Sequence, residues 1–304
     1  MINRILPKSN KDSERIVFNW ILFFFLVTFS LQCWRIFSLN ATYDQGLFLQ
    51  EIWNGLQGYP FESTLAAELS APVKFDSAIP QVGYKHLAQH FTPLLFAWTP
   101  LVSLLGVWAL PLIQVGLMTL AGWVLFLLGK EYLPTQLAGW ITCSFFATGT
   151  VIGPTLENFH DLCLVPLIVF SLLLGISKEN KLLYFFPALL LPLIREDVGL
   201  LSFGIGLWMI YRRPHWRFWG LGLCIYSLIS VLIITNTVMP LFGTELTERF
   251  MQERFSQYLN GQTGGPIDVL IAMVKNPILL LNEIISPGEK TILFLITLSL
   301  PLAF

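Results

Sequence analysis

An all-α, polytopic transmembrane helical bundle is the fold the sequence predicts, and three observations predict it. Apolar side chains make up 55% of the 304 residues and charged ones only 12%, about half the charge usual in soluble domains. Mean hydropathy is +0.67, more apolar surface than a water-soluble core could hide, so lipid must solvate it. The apolar residues fall in long runs, near 16–38, 108–128, 134–153, 162–177, 181–194, 198–211 and 217–240. A last run, Lys290 to Phe304, stops short of the roughly 20 residues a span needs. We therefore expect one transmembrane domain over 1–304, the N-terminal part of a longer protein, with extracytoplasmic regions at 39–107 and 241–289.

The first element is a span. Arg4, Lys8, Lys11 and Arg15 precede an apolar stretch, Ile16 to Leu39, that is too long for a signal peptide and has no small-residue cleavage site behind it. This predicts an uncleaved first helix, a cytoplasmic N-terminus and a multi-pass protein of the cell (inner or plasma) membrane. The next decision concerns Phe91 to Gly106. If that segment crosses, every later loop changes side. If it does not, Lys130, Lys178, Lys181, Arg212, Arg213 and Arg217 all lie inside with the basic N-terminus, as the positive-inside rule requires. The segment is short, opens on Thr92 and Pro93 as N-cap and first helical position, contains Pro100 and ends at Gly106. We expect a juxtamembrane helix that lies at the outer interface without crossing.

That topology gathers the acids and histidines on one outer face. The span interiors carry almost no charge, Gln114 and Asn236 being their most polar groups. Without ionisable groups at the midplane, and without an internal repeat, the pattern weighs against an ion-coupled transporter. A net charge of -1 with no long basic run excludes a nucleic-acid surface. Cys33, Cys143, Cys163 and Cys224 sit inside apolar stretches, as packing residues and not as a disulfide framework or zinc site.

Four short motifs could carry chemistry. Tyr43-Asp44-Gln45-Gly46 opens the first outer loop and leads into a helix with Leu47, Phe48, Ile52, Trp53 and Leu56 on one stripe and Gln50, Glu51 and Asn54 opposite. Asp44 reads either as an N-cap or as a carboxylate base or metal ligand. His86 and His90 stand i, i+4, which puts both on one helical face. His86 is expected at the surface, whereas His90 meets the start of the juxtamembrane helix. Glu157-Asn158-Phe159-His160-Asp161 packs four polar groups into one turn, more than a turn needs, although Asp161 could simply cap the next helix. Arg195-Glu196-Asp197 lies between apolar runs of 14 residues each, too short to span, so its charges sit deep and face either a wet cavity or one another. Farther on, Glu245 to Leu259 reads as an amphipathic helix whose Arg249 and Arg254 pair with Glu248 and Glu253 or bind a phosphate.

The wording of these motifs resembles the GT-C superfamily of membrane glycosyltransferases. It is more similar still to a bacterial domain-of-unknown-function family of polytopic membrane proteins of predicted GT-C type. The resemblance rests on Tyr-Asp-Gln-Gly-Leu-Phe-Leu-Gln-Glu-Ile-Trp-Asn-Gly-Leu-Gln-Gly-Tyr-Pro-Phe (43–61), Gln-His-Phe-Thr-Pro (89–93), Asn-Phe-His-Asp (158–161) and Arg-Glu-Asp-Val-Gly-Leu (195–200). One departure is that His160 is followed by Asp161 where the family has His-Pro-Glu.

The resemblance implies an enzyme that moves a sugar from a polyprenyl-phosphate donor to an acceptor at the extracytoplasmic face. Asp44 would deprotonate the acceptor or hold a divalent cation, magnesium or manganese, together with Asp161. His90, Glu196 and Asp197 would act in catalysis. Arg195 would meet the carrier phosphate, with Asn158, His160 and Tyr43 binding substrate. The alternatives are a carrier or flippase for a lipid-linked substrate and a non-catalytic assembly subunit.

Overall fold

The computed structural model of the chain describes residues 10–157, 159–244, 251–260 and 264–285, and among these it contains helices and no strand. Contacts divide the chain into two compact units, Met1–Phe242 and Gly243–Phe304.

The first unit begins with α1 (Asn10–Phe37), the expected first span. Only 28% of its most apolar window is buried by protein, and Phe18, Phe23 and Leu26 stand more than half exposed, so lipid must cover the rest. The outer loop follows with α2 (Tyr43–Leu56), α3 (Thr64–Glu68), α4 (Ala71–Asp76) and a single 3-10 turn at His86–Ala88.

The disputed segment forms a 3-10 helix, Pro93–Trp98, and then α5 (Thr99–Leu105). With α6 (Ala109–Tyr132) it makes a helical stretch of 40 residues, twice what a bilayer needs. Gly106, at φ +57° and ψ -133°, takes that stretch apart, a conformation open to glycine and costly for other residues. The start of the segment is bonded to Glu196, since Phe91 N–H donates to its Oε2 at 2.8 Å. Its end leads within two turns to Gln114, which accepts from the backbone N–H of His160 at 3.2 Å. Both ends thus lie at the same end of the bundle. Leu95 and Val102 pack with Leu47, Ile52 and Leu110 in one buried cluster, so the segment lies against α2.

Next come α7 (Thr135–Ala147) and α8 (Gly149–Glu157), a pair bent by 47°. After them come α9 (Val165–Ser177), α10 (Lys181–Ile194), α11 (Val198–Arg212) and α12 (Arg217–Ile233). A π-turn at Ile234–Val238 extends α12, and there Asn236 donates to Leu232 O at 2.9 Å, satisfied within its own helix. Among the described residues three stretches are long and apolar enough to cross a membrane, or four if the bent pair is one span. α9, α10 and α11 hold only 13, 14 and 15 residues.

Small residues let the short helices approach closely. At the α11–α12 crossing a Cβ on Gly206 would stand 2.6 Å from Cys224 Sγ and 2.8 Å from Gly220 O. Nearby, Ser227 Oγ donates to Ser202 Oγ at 3.0 Å, both fully buried.

At the end of the bundle that holds the α1 N-terminus, Lys130 meets Glu14 at 2.5 Å, Lys178 meets Glu131 at 3.4 Å, and Arg213 bonds the Tyr132 hydroxyl. The basic loops therefore gather at one end, as the positive-inside reading requires.

The second unit contains α13 (Gln252–Leu259), α14 (Pro266–Lys275) and α15 (Pro277–Ile285). Glu283 accepts from the Tyr258 hydroxyl at 2.7 Å and from Gln257 Nε2 at 2.6 Å. Glu248 and Arg249 of the expected amphipathic helix lie outside the described residues.

Candidate functional site

The site is built on α2. Thr42, not Asp44, is its N-cap, and Asp44 sits in the first turn, where a carboxylate is favoured by the helix dipole. The expected polar face is not a solvent face. Trp53 and Leu56 are 49% and 36% exposed, while Glu51 is 0% exposed. The reason is tertiary: the 3-10 helix and α5 pack along one side of α2 and α3 along another, leaving a different side open. Gln50 takes the Ser63 hydroxyl at 2.7 Å and bonds Thr64 Oγ1 at 2.9 Å, and Asn54 donates to Glu62 O at 2.8 Å. Tyr43, expected to bind substrate, donates its hydroxyl to Leu65 O and so ties α2 to α3.

Asp44, Phe48 and Glu51 follow one another at i, i+4 and i+7, on one helical face. The Phe48 ring stands 6.0 Å from the rings of both His86 and His160 and 5.6 Å from that of Phe159. Around this ring the polar groups form two tiers.

The inner tier is buried. His86 Nδ1 lies 2.8 Å from Glu51 Oε1, with both side chains nearly inaccessible, so the expected surface role for His86 is overturned. Backbone pairing explains the burial: His86 N–H donates to Phe61 O at 3.0 Å, Ser63 N–H to Tyr84 O at 2.9 Å, and Gln89 Nε2 to Ala66 O at 3.0 Å. Among the described residues neither Glu51 oxygen nor His86 Nδ1 has a partner with hydrogen-bond geometry, so the 2.8 Å contact is a charge pairing. Burial pushes the Glu51 carboxyl up, and His86 recovers only part of that cost. Burial alone would lower His86, but the Glu51 carboxylate overrides it and pushes it up. Both directions mean that the pair keeps its proton as pH rises.

One turn later His90 N–H donates to His86 O at 3.0 Å, and the two rings are 5.8 Å apart. His90 Nδ1 lies 2.8 Å from Glu196 Oε1, and the other Glu196 oxygen holds Phe91 N–H. This contact orients the His90 ring, with a proton on Nδ1 the tautomer that would satisfy the Glu196 oxygen, and the His90 side chain keeps 30% exposure.

The outer tier is more open. His160 Nδ1 is 2.5 Å from Asp161 Oδ1, which also accepts from Leu162 N–H at 2.9 Å and lies 3.8 Å from Arg195 Nη1. The hydrogen bond to Asp161 raises the His160 pKa against burial, with Asp44 adding to the effect. Burial opposes ionisation of Asp161, but His160 and Arg195 pull its pKa below the usual carboxylate range. Asp197 grips the Arg195 guanidinium through two bonds, 2.8 Å at Nε and 2.7 Å at Nη2.

The turn that carries His160 is held from both sides, and here the sequence reading missed the residues that do it. A helix C-terminus leaves carbonyls without partners. Those of α8 are taken by side chains from other helices: Pro154 O by Gln114 at 3.0 Å, Thr155 O by Gln32 at 2.5 Å and Leu156 O by Arg35. Gln114 accepts His160 N–H with its other end. The polar group noted inside a span is thus a clamp for the turn. Asn158 lies outside the described residues.

Asp44 and Asp161 are the residues expected to hold a divalent cation, and the partners of Asp161 are already protein groups. Asp161 is committed to His160, Arg195 and a backbone N–H, and among the described residues no group of three His, Cys, Asp or Glu side chains could hold a metal ion.

Apolar helices of spanning length with this polar cluster at one end define a polytopic membrane protein. The chain belongs to the family described as Predicted membrane protein (DUF2079), whose model matches residues 35–304, a family of unknown function. No curated protein and no solved structure matches it.

Proposed function

We propose that the chain is a GT-C-type glycosyltransferase that moves a sugar from a polyprenyl-phosphate donor to an acceptor hydroxyl at the extracytoplasmic face of the cell membrane. The observation that carries the reading is the His90–Glu196 dyad, an oriented and accessible imidazole beside the Asp44–His160 tier. Glu196 holds the proton on Nδ1, so Nε2 is the atom that accepts a proton. The acceptor hydroxyl gives its proton to Nε2 while its oxygen bonds the anomeric carbon. The bond from that carbon to the phosphate oxygen breaks, and the phosphate leaves with the electron pair. Asp44, whose charge acts on His160, is placed to face the charge that develops on the sugar. Asp197 orients Arg195 through its paired bonds.

The extracytoplasmic assignment is supported by Lys130, Lys178 and Arg213 gathering at the other end with the N-terminal helix. The test is transfer from a lipid-phosphate sugar in membranes holding the full chain. His90→Gln and Asp44→Asn should each lower transfer about 100-fold or more, the size of a lost general base, with unchanged expression. Transfer that survives both substitutions, or none by the unaltered chain with any lipid-phosphate sugar, sinks the reading in favour of a binding protein.

A further inference from the structure

The cation that meets a donor phosphate must keep net charge to offer. Arg195 does not: Asp197 binds it twice and Asp161 lies 3.8 Å away, so two carboxylates neutralise one guanidinium. Arg35 contrasts with it. It stands half-buried at the C-terminal end of α1 and donates to Leu156 O and, at 3.2 Å, to Asn40 O. Among the described residues both partners are carbonyls, which carry only partial charge, and these bonds use a minority of the five guanidinium N–H donors.

Beneath Arg35 an apolar trough runs along α1 where it faces α7 and α8. It consists of cavities of about 360 and 130 Å³ that share Trp20 and Cys143. One end is lined by Leu31 and Leu156, the residue whose carbonyl Arg35 holds, and the other by Ser13. From Leu31 to Ser13 the helix covers about 27 Å at its usual rise, close to the ~30 Å hydrocarbon thickness of a bilayer. Cavities of about 360 and 130 Å³ in line along one helix offer room for one extended chain rather than two side by side.

We propose that this trough and Arg35 bind a single-chain lipid phosphate, the chain along α1 and the phosphate on the guanidinium. The proposal rests on the glycosyltransferase reading and makes Arg35, rather than Arg195, the residue that holds the donor. Guanidinium geometry suits phosphate oxygens, and Arg35 stands beside the α8 terminus that leads into the His160 turn.

The test is photolabelling of the full chain in nanodiscs with a diazirine-tagged isoprenyl monophosphate, the site of attachment read by peptide mass spectrometry. Attachment should map to α1 and α7. Arg35→Gln, which keeps an amide donor for Leu156 O, and Cys143→Trp, which blocks the trough where the cavities meet, should each cut labelling about tenfold, as expected for loss of a charged contact. Arg195→Gln should change it less than twofold. If Cys143→Trp fails to fold, Val27→Phe on the α1 wall repeats the block.

Labelling elsewhere, labelling indifferent to Arg35→Gln, or equal competition by two-chain phosphatidic acid overturns the proposal, as does competition by inorganic phosphate alone. The readout needs no turnover. A chain that labels in the trough and transfers nothing keeps this inference and loses the enzyme reading; transfer with labelling outside the trough does the reverse.

Discussion

The two ends of the helical unit treat charge in opposite ways. At the end with the α1 N-terminus, acids and bases meet as isolated surface pairs, Lys130 with Glu14 at side-chain exposures of 33% and 44%, and Lys178 with Glu131 at 46% and 32%. At the other end Glu51, His86, Asp161 and Glu196 are all buried. Surface pairs cost little and contribute little, whereas buried ones carry a desolvation cost that their attraction does not always offset. A fold that needed only solubility would have kept its charges at the first kind of place. The buried tier is therefore the end of the molecule whose charges are held at a cost to stability.

That contrast can be broken most sharply at Glu51. Glu51→Ala leaves His86 buried beside an empty space, and should cost about 3–5 kcal/mol of unfolding free energy in detergent. Replacing both partners together, Glu51→Leu with His86→Phe, should recover most of that loss. A single substitution costing under about 1 kcal/mol would place the pair in the surface class.

A middle-sized effect is expected at His160 and Asp161, and its sign with pH is set. The raised His160 pKa makes its stabilisation complete below the ordinary 6.5 and loses it as pH rises through the folded value. The lowered Asp161 pKa makes its share present above the ordinary 3.8 and loses it as pH falls through the folded value. The pair's contribution is thus whole from about pH 4 to 6.5 and falls away on both sides. Unfolding midpoints for the native chain and for His160→Gln should converge above that window and differ most inside it. The chain has four histidines, so isotope-labelled imidazole signals can follow the same titration directly.

The smallest effect is expected at the opposite end. Lys130→Ala or Lys178→Ala should change stability by no more than about 1 kcal/mol, and less in high salt. A larger loss would remove the contrast between the ends.

Much of the helical architecture was legible without coordinates. The apolar runs located α1, α6, the α7–α8 pair and α9 to α12. His90 with Glu196, and His160 with Asp161 and Arg195, were marked by polar residues interrupting apolar runs. Glu51 was misassigned because helical periodicity assumes one buried face, and α2 is covered on more than one. His86 was misassigned because its burial comes from pairing with residues near 61, distant in sequence. The face shared by Asp44, Phe48 and Glu51 was visible, but the stripe of Leu47, Ile52 and Trp53 outweighed it.

What the sequence determined by itself was the solvent of each segment, because transfer from water to lipid depends on composition summed along a run. What only the tertiary structure decided was which polar group meets which: that Gln32, Arg35 and Gln114 close the α8 terminus, that Glu51 faces His86, and that Arg195 meets two carboxylates whereas Arg35, among the described residues, meets carbonyls. Hydrogen bonds and ion pairs act over about 3 Å, a distance set by how helices pack, and no local pattern of residues encodes it.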